Sequence, residues 1–213
     1  IKMSDEENDR FEEEQSLLTD NFETIPHTPS AWEQDIYDID EDPDPHATPE
    51  REILWAAEQG ELDLVKSLVS KHTYLVHVHD KDGYTALHRA CYSNHLSIVE
   101  FLLENHANPN ARTADQWTPL HSACKWNNVE CAEKLIEAGT DINALTNGGI
   151  TPLHLVAELA DSHNLIELLL SQPGIQANLK LPNSTGDTPK DITARKSTNE
   201  RLFEYSEPCF NYI

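Results

Sequence analysis

A heptapeptide recurs along the chain at fixed spacing. Asp82-Gly-Tyr-Thr-Ala-Leu-His88 returns as Asp115-Gln-Trp-Thr-Pro-Leu-His121 and again as Gly148-Gly-Ile-Thr-Pro-Leu-His154, so the three histidines stand 33 residues apart, twice over. A second block follows the first at the same offset. Leu96-Ser-Ile-Val-Glu-Phe-Leu-Leu103 matches Val129-Glu-Cys-Ala-Glu-Lys-Leu-Ile136, and Ala107-Asn-Pro-Asn110 matches Thr140-Asp-Ile-Asn143. A unit this short cannot cover its own apolar face. Copies must stack, and each shares its stability with its neighbours.

Each recurring residue has a physical task. Thr118 and Thr151 suit an N-cap, where the hydroxyl satisfies an orphan backbone N–H. Pro119 and Pro152 follow at the first helical position, where no N–H is missed and φ is preset. Ala90-Cys91, Ala123-Cys124 and Val156-Ala157 put small residues on a first helix, so that the next repeat can approach closely. Leu96, Ile98, Val99, Leu102 and Leu103 form the large apolar stripe of a second helix.

The period of 33 with Thr-Pro-Leu-His-x-Ala resembles the ankyrin repeat. The fold class expected is all-α: a solenoid of stacked helix-turn-helix units with finger turns, preceded by an acidic, mostly disordered arm. Residues 1–48 are assigned to the arm, 49–206 to the repeats and 207–213 to a tail. Within the array the units run 49–79, 80–112, 113–145, 146–182 and 183–206. The end units depart from the pattern as caps do. Ile53-Leu-Trp-Ala-Ala57 lacks a Thr-Pro-Leu-His, and Gly186-Asp-Thr-Pro-Lys-Asp-Ile192 keeps Thr-Pro but replaces Leu-His by Lys190-Asp191. Thr151 and Thr188 are 37 apart, and the extra residues are expected near 160–164 and 172–176. Gln116 replaces the turn glycine and Ala86 the proline, at little cost. The stretch Thr118-Pro-Leu-His-Ser-Ala-Cys-Lys-Trp-Asn-Asn128, with the layout of arm, Leu-Trp-Ala-Ala helix, about four repeats and short tail, is similar to a narrower branch of that family. That resemblance implies an intracellular binding protein, partly nuclear, without enzymatic activity. Regulation of transcription through protein contacts is the setting it suggests.

Charge narrows the partners. The net charge is −23, and −15 of it falls in the first 50 residues, which hold 17 of the 38 acids and only two bases, Lys2 and Arg10. No basic footprint exists for a phosphate backbone, so direct nucleic-acid binding is not expected. The same repulsion disfavours anionic membrane, and no apolar run is long enough to span one. The acidic N-terminus does not read as a signal peptide. A monomer in the nucleus or cytoplasm is expected. Apolar residues are scattered in the arm as Phe11, Leu17, Leu18, Phe22, Ile25, Trp32, Ile36, Tyr37 and Ile39, the spacing of a segment that docks on a partner.

Several chemistries are weighed and set aside. Asp38-x-Asp40-x-Asp42 lacks the Gly and Glu of a calcium loop, having Pro43 and Pro49 there. The role expected of His88, His121 and His154 is hydrogen bonding within and between finger turns; equivalent histidines of successive repeats lie about 8–10 Å apart and cannot share a metal, and His77-x-His79 lacks a third ligand. Cys91 and Cys124 fill equivalent positions too far apart for a disulfide, which agrees with a reducing compartment; Cys131 and Cys209 complete the set. No nucleotide-binding, zinc-protease or serine-hydrolase motif occurs. No catalytic residue, metal site or cofactor is assigned. Thr28-Pro29, Thr48-Pro49 and the acid-flanked Ser4 read as possible phosphorylation sites.

The resemblance implies a concave groove lined by the fingers and the first helices. Register places Lys81, Asp82, Tyr84, Tyr92 and Ser93 there, then Asp115, Trp117, Lys125 and Trp126, then Asn147, Ile150, Glu158 and Leu159. Two Trp and two Tyr on one face favour a protein-binding surface, because exposed aromatics are the residues that carry interface energy. Non-catalytic adaptor binding is therefore the first reading. Two others rest on the arm: shielding of a basic client, and an autoinhibited scaffold in which Trp32–Ile39 folds back into the groove.

Overall fold

The computed structural model describes residues 44–175, 179–196 and 199–205. The residues from Pro45 onward form one unit. Its helices come in pairs. The first helix of each pair is α1 Pro49–Gln59, α3 Ala86–Tyr92, α5 Pro119–Lys125, α7 Pro152–Ala157 and α9 Pro189–Lys196. The second is α2 Leu62–Lys71, α4 Leu96–Glu104, α6 Val129–Glu137, α8 His163–Leu170 and α10 Glu200–Tyr205. A 3-10 turn, Thr73–His77, follows α2. Among the described residues no strand forms, only an isolated bridge between His79 and Thr85.

First helices pack on first helices in chain order, and second on second. The first helices can approach because their facing residues are small. Ala56, Ala57, Ala90, Cys91, Ala123, Cys124, Val156 and Ala157 are all fully buried. The second helices supply the bulk through Val65, Leu68 and Val69, then Ile98, Val99 and Leu102, then Leu165, Ile166 and Leu169. Leu96 and Leu103, expected in the same stripe, are only half-buried. In α6 the stripe thins to Cys131, Ala132 and Leu135. Fully burying one Leu or Ile contributes about 1.5–3 kcal/mol, so the second helices supply much of the buried apolar surface that stabilises the array. The extra residues of the fourth unit fall in a longer turn, 158–162, and in the segment after α8.

Helix starts follow the expected logic. Thr48 caps α1, its Oγ1 accepting from the Arg51 N–H at 3.3 Å, and α1 ends at Gly60 with φ 85°. Thr85, Thr118 and Thr151 cap α3, α5 and α7.

Candidate functional site

The three caps are reciprocal boxes in which the third helical residue is histidine. In α5 the Thr118 Oγ1 accepts from the His121 N–H at 3.4 Å, and His121 Nδ1 accepts from the Thr118 N–H at 3.2 Å. The Thr118 hydroxyl donates to the same Nδ1 at 2.8 Å. An accepting Nδ1 places the ring proton on Nε2. That nitrogen donates to the Ile150 carbonyl of the next finger at 3.2 Å. His88 does the same to Trp117 at 3.2 Å, and His154 to Asp187 at 3.2 Å. Each histidine thus closes its own helix start and ties it to the following finger. Burial holds His88 and His121 down to about 4 and lowers His154 as well, so all three are neutral near pH 7.

The fingers are themselves tied in series. Each is closed by a short side chain at its base: the Tyr84 N–H donates to Asp80 Oδ1 at 2.8 Å, Trp117 N–H to Thr113 Oγ1 at 3.0 Å, and Ile150 N–H to Thr146 Oγ1 at 3.2 Å. Successive fingers then share backbone bonds, Ala114 N–H to the Asp82 carbonyl at 2.8 Å, Asn147 to Asp115 at 3.1 Å and Ser184 to Gly148 at 3.0 Å. Asn147 adds a side-chain bond to the Ala114 carbonyl at 3.2 Å.

This frame sorts the residues expected on the binding face. Trp117 is not exposed: only 3% of it reaches solvent, and its ring lies 5.5 Å from that of His121. Trp117 therefore packs within the stack and does not line the groove. Tyr84, one repeat earlier, is half-buried and edge-on to His88 at 5.6 Å. Ile150, at the same register position, is half-buried too. Tyr92 and Trp126 do reach solvent, 38% and 42% exposed, and meet edge to face with centroids 4.9 Å apart at 70°. They come from the ends of adjacent first helices. Lys81, Asp82, Asp115 and Glu158 are exposed; Ser93, Lys125 and Leu159 are half-buried.

Charged groups that register alone did not connect also pair between repeats. The Arg89 guanidinium bridges Glu58 and Asp80, the latter at 2.8 Å. Glu158 is shared by Lys125 at 3.8 Å and Lys196 at 3.5 Å. Arg89, at the middle of α3, was detectable as the one arginine or lysine of that helix. Lys196 was not, because its partner lies 38 residues away.

Cys91, Cys124 and Cys131 are buried free thiols. Burial raises all three, Cys131 to about 11. Among the described residues no group of three or more His, Cys, Asp or Glu is placed to hold a metal, and no helix is long and apolar enough to cross a membrane. Ser4, Thr28, Asp38–Asp42, the Trp32–Ile39 segment and Cys209 lie outside the described residues. Thr48 lies within them, exposed at the cap of α1.

A stack of helix pairs joined by fingers, with a histidine box at each start, defines a repeat protein whose exposed face is available for contact. Family models agree: one for ankyrin repeats in three copies matches residues 53–146, and one for ankyrin repeats in many copies matches 124–170. The chain belongs to the ankyrin repeat family. It is 55% identical over 163 residues to ankyrin repeat domain-containing protein 49 of Homo sapiens, covering 76% of this chain and 67% of that protein. The protein of the same name from Bos taurus is 54% identical over 163 residues, covering 76% and 68%. That from Drosophila melanogaster is 40% identical over 81 residues, 38% of each chain.

Proposed function

We propose that this chain is a non-enzymatic interaction adaptor that binds a protein partner on the concave ankyrin face. The observation that carries the reading is the exposed Tyr92–Trp126 pair. The ring positions are fixed from beneath by helices whose other faces are buried, so little freedom is lost when a partner covers them. Rigid, half-exposed aromatics of this type are the usual centres of protein interfaces. Ankyrin family membership supports a role in protein contact. The adaptor acts, on this reading, as a monomer in the nucleus or cytoplasm and regulates transcription through its protein partners.

The test is proximity labelling in cells with the intact chain and with Tyr92→Ala plus Trp126→Ala. Both residues are surface-exposed, and circular dichroism should show an unchanged fold. A defined set of neighbours should disappear in the double variant. Retention of every neighbour by the folded double variant would overturn the reading.

A further inference from the structure

Building on that docking face, we propose that its occupant is a basic segment of a partner protein, with an arginine seated against the Trp126 ring and further cations pairing with Asp82 and Asp115. Three observations converge. First, three cations that could compete for an incoming carboxylate partner are already engaged within the chain. Arg89 is held by Glu58 and Asp80, and Lys125 and Lys196 both lean on Glu158. Second, Asp82 and Asp115 fill the same position of successive fingers and are exposed. Their backbone carbonyls are each taken up by the following finger, so the two carboxylates are carried on a fixed support. Third, the Tyr92–Trp126 contact is edge to face. Both rings are also partly exposed, so aromatic surface stays within reach of a partner, and a ring face attracts a cation, best of all on Trp. Arginine fits better than lysine. Its planar guanidinium stacks on an aromatic ring and can chelate a carboxylate with two N–H groups, whereas an ammonium is a hydrated point charge. The overall charge of −23 draws a basic segment in and repels an acidic one.

The experiment uses the full chain and four short fluorescent Gly/Ser peptides, bearing arginines, lysines, glutamates or leucines. Anisotropy is read at low and physiological salt. The arginine peptide should bind tightest and the glutamate peptide weakest. Trp126→Ala should weaken the arginine peptide about tenfold. Asp82→Asn with Asp115→Asn should weaken it roughly threefold and flatten its salt dependence. These isosteric changes at exposed sites leave the fold intact, which keeps the result readable whatever Trp126→Ala does to stability. Binding of the arginine peptide that ignores both sets of variants overturns the inference, since the cation is then held elsewhere on the acidic chain. So does a glutamate peptide that binds as tightly and responds to Lys125→Gln. If the leucine peptide alone binds and Trp126→Ala removes it, the docking face stands and its basic occupant falls. If no peptide responds to Trp126→Ala or Tyr92→Ala, both fall.

Discussion

At the scale of single residues, two tryptophans of the same repeat have opposite fates. Trp117 is enclosed between fingers and Trp126 stands at the surface. Trp117→Ala should therefore cost about 3–5 kcal/mol, the range for emptying a packed aromatic site. Trp126→Ala should cost under about 1 kcal/mol. Urea denaturation of the two variants measures the difference, and equal losses would contradict the assignment of one to the stack and one to the face. His121 is a second case. Removing it strands the Thr118 N–H and takes away one of the two donors to the Ile150 carbonyl, which keeps the Thr146 N–H, so His121→Ala should lose about 1–2 kcal/mol in the same measurement. The histidine's dependence on the next finger was legible as a recurring residue with a hydrogen-bonding task. The burial of Trp117 was not. Register says which finger position a residue fills, but the side to which it points depends on the local twist of the turn.

At the scale of the element, the finger turn tests how strictly backbone geometry selects its residue. Gly83, Gly149 and Gly186 occupy one position with φ of 89°, 68° and 85°, and Gln116 holds the same place at 66°. A left-handed side chain costs about 1–2 kcal/mol, while glycine costs about 0.5–1 kcal/mol in extra chain entropy. The first figure is the larger, so Gln116→Gly should raise stability by about 0.5 kcal/mol. The reverse change has a second obstacle at Gly83, where a Cβ would come 2.9 Å from the Thr113 Cα of the next finger. Gly83→Ala should lose more than about 1 kcal/mol, and thermal melts of the pair should move in opposite directions. Helix positions, caps and the longer fourth unit were legible because each rests on local chemistry repeated in register. The charge pairs Arg89–Glu58 and Lys196–Glu158 were not, since they join residues 31 and 38 apart whose proximity exists only once the repeats are stacked.

At the scale of the whole array, three buried neutral histidines make stability depend on pH. Their folded-state values lie below the ordinary value of 6.5, at about 4 for His88 and His121 and lowered for His154. The unfolded chain takes up their protons first as pH falls. Stability is therefore full above about pH 6.5, declines below it, and levels off once pH passes the folded values near 4. Each of the first two groups accounts for roughly 3 kcal/mol at most. Denaturation midpoints at pH 7.5 and 5 should differ clearly, and His121→Gln should shrink the gap; a flat profile would contradict the buried, neutral rings. The last unit breaks this pattern: Asp191 takes the place of histidine, accepting from the Thr188 N–H at 3.0 Å and its hydroxyl at 2.6 Å. The series therefore has a direction and a full stop. Every internal unit donates a hydrogen bond forward to its successor, and the final one keeps the cap but has no ring N–H to donate. A duplicated internal unit inherits both ends of that handshake and can be spliced in without leaving a group stranded. A unit appended beyond Asp191 meets no donor. Lengthening such a chain by tandem duplication is thus open from within and closed at the C-terminal side.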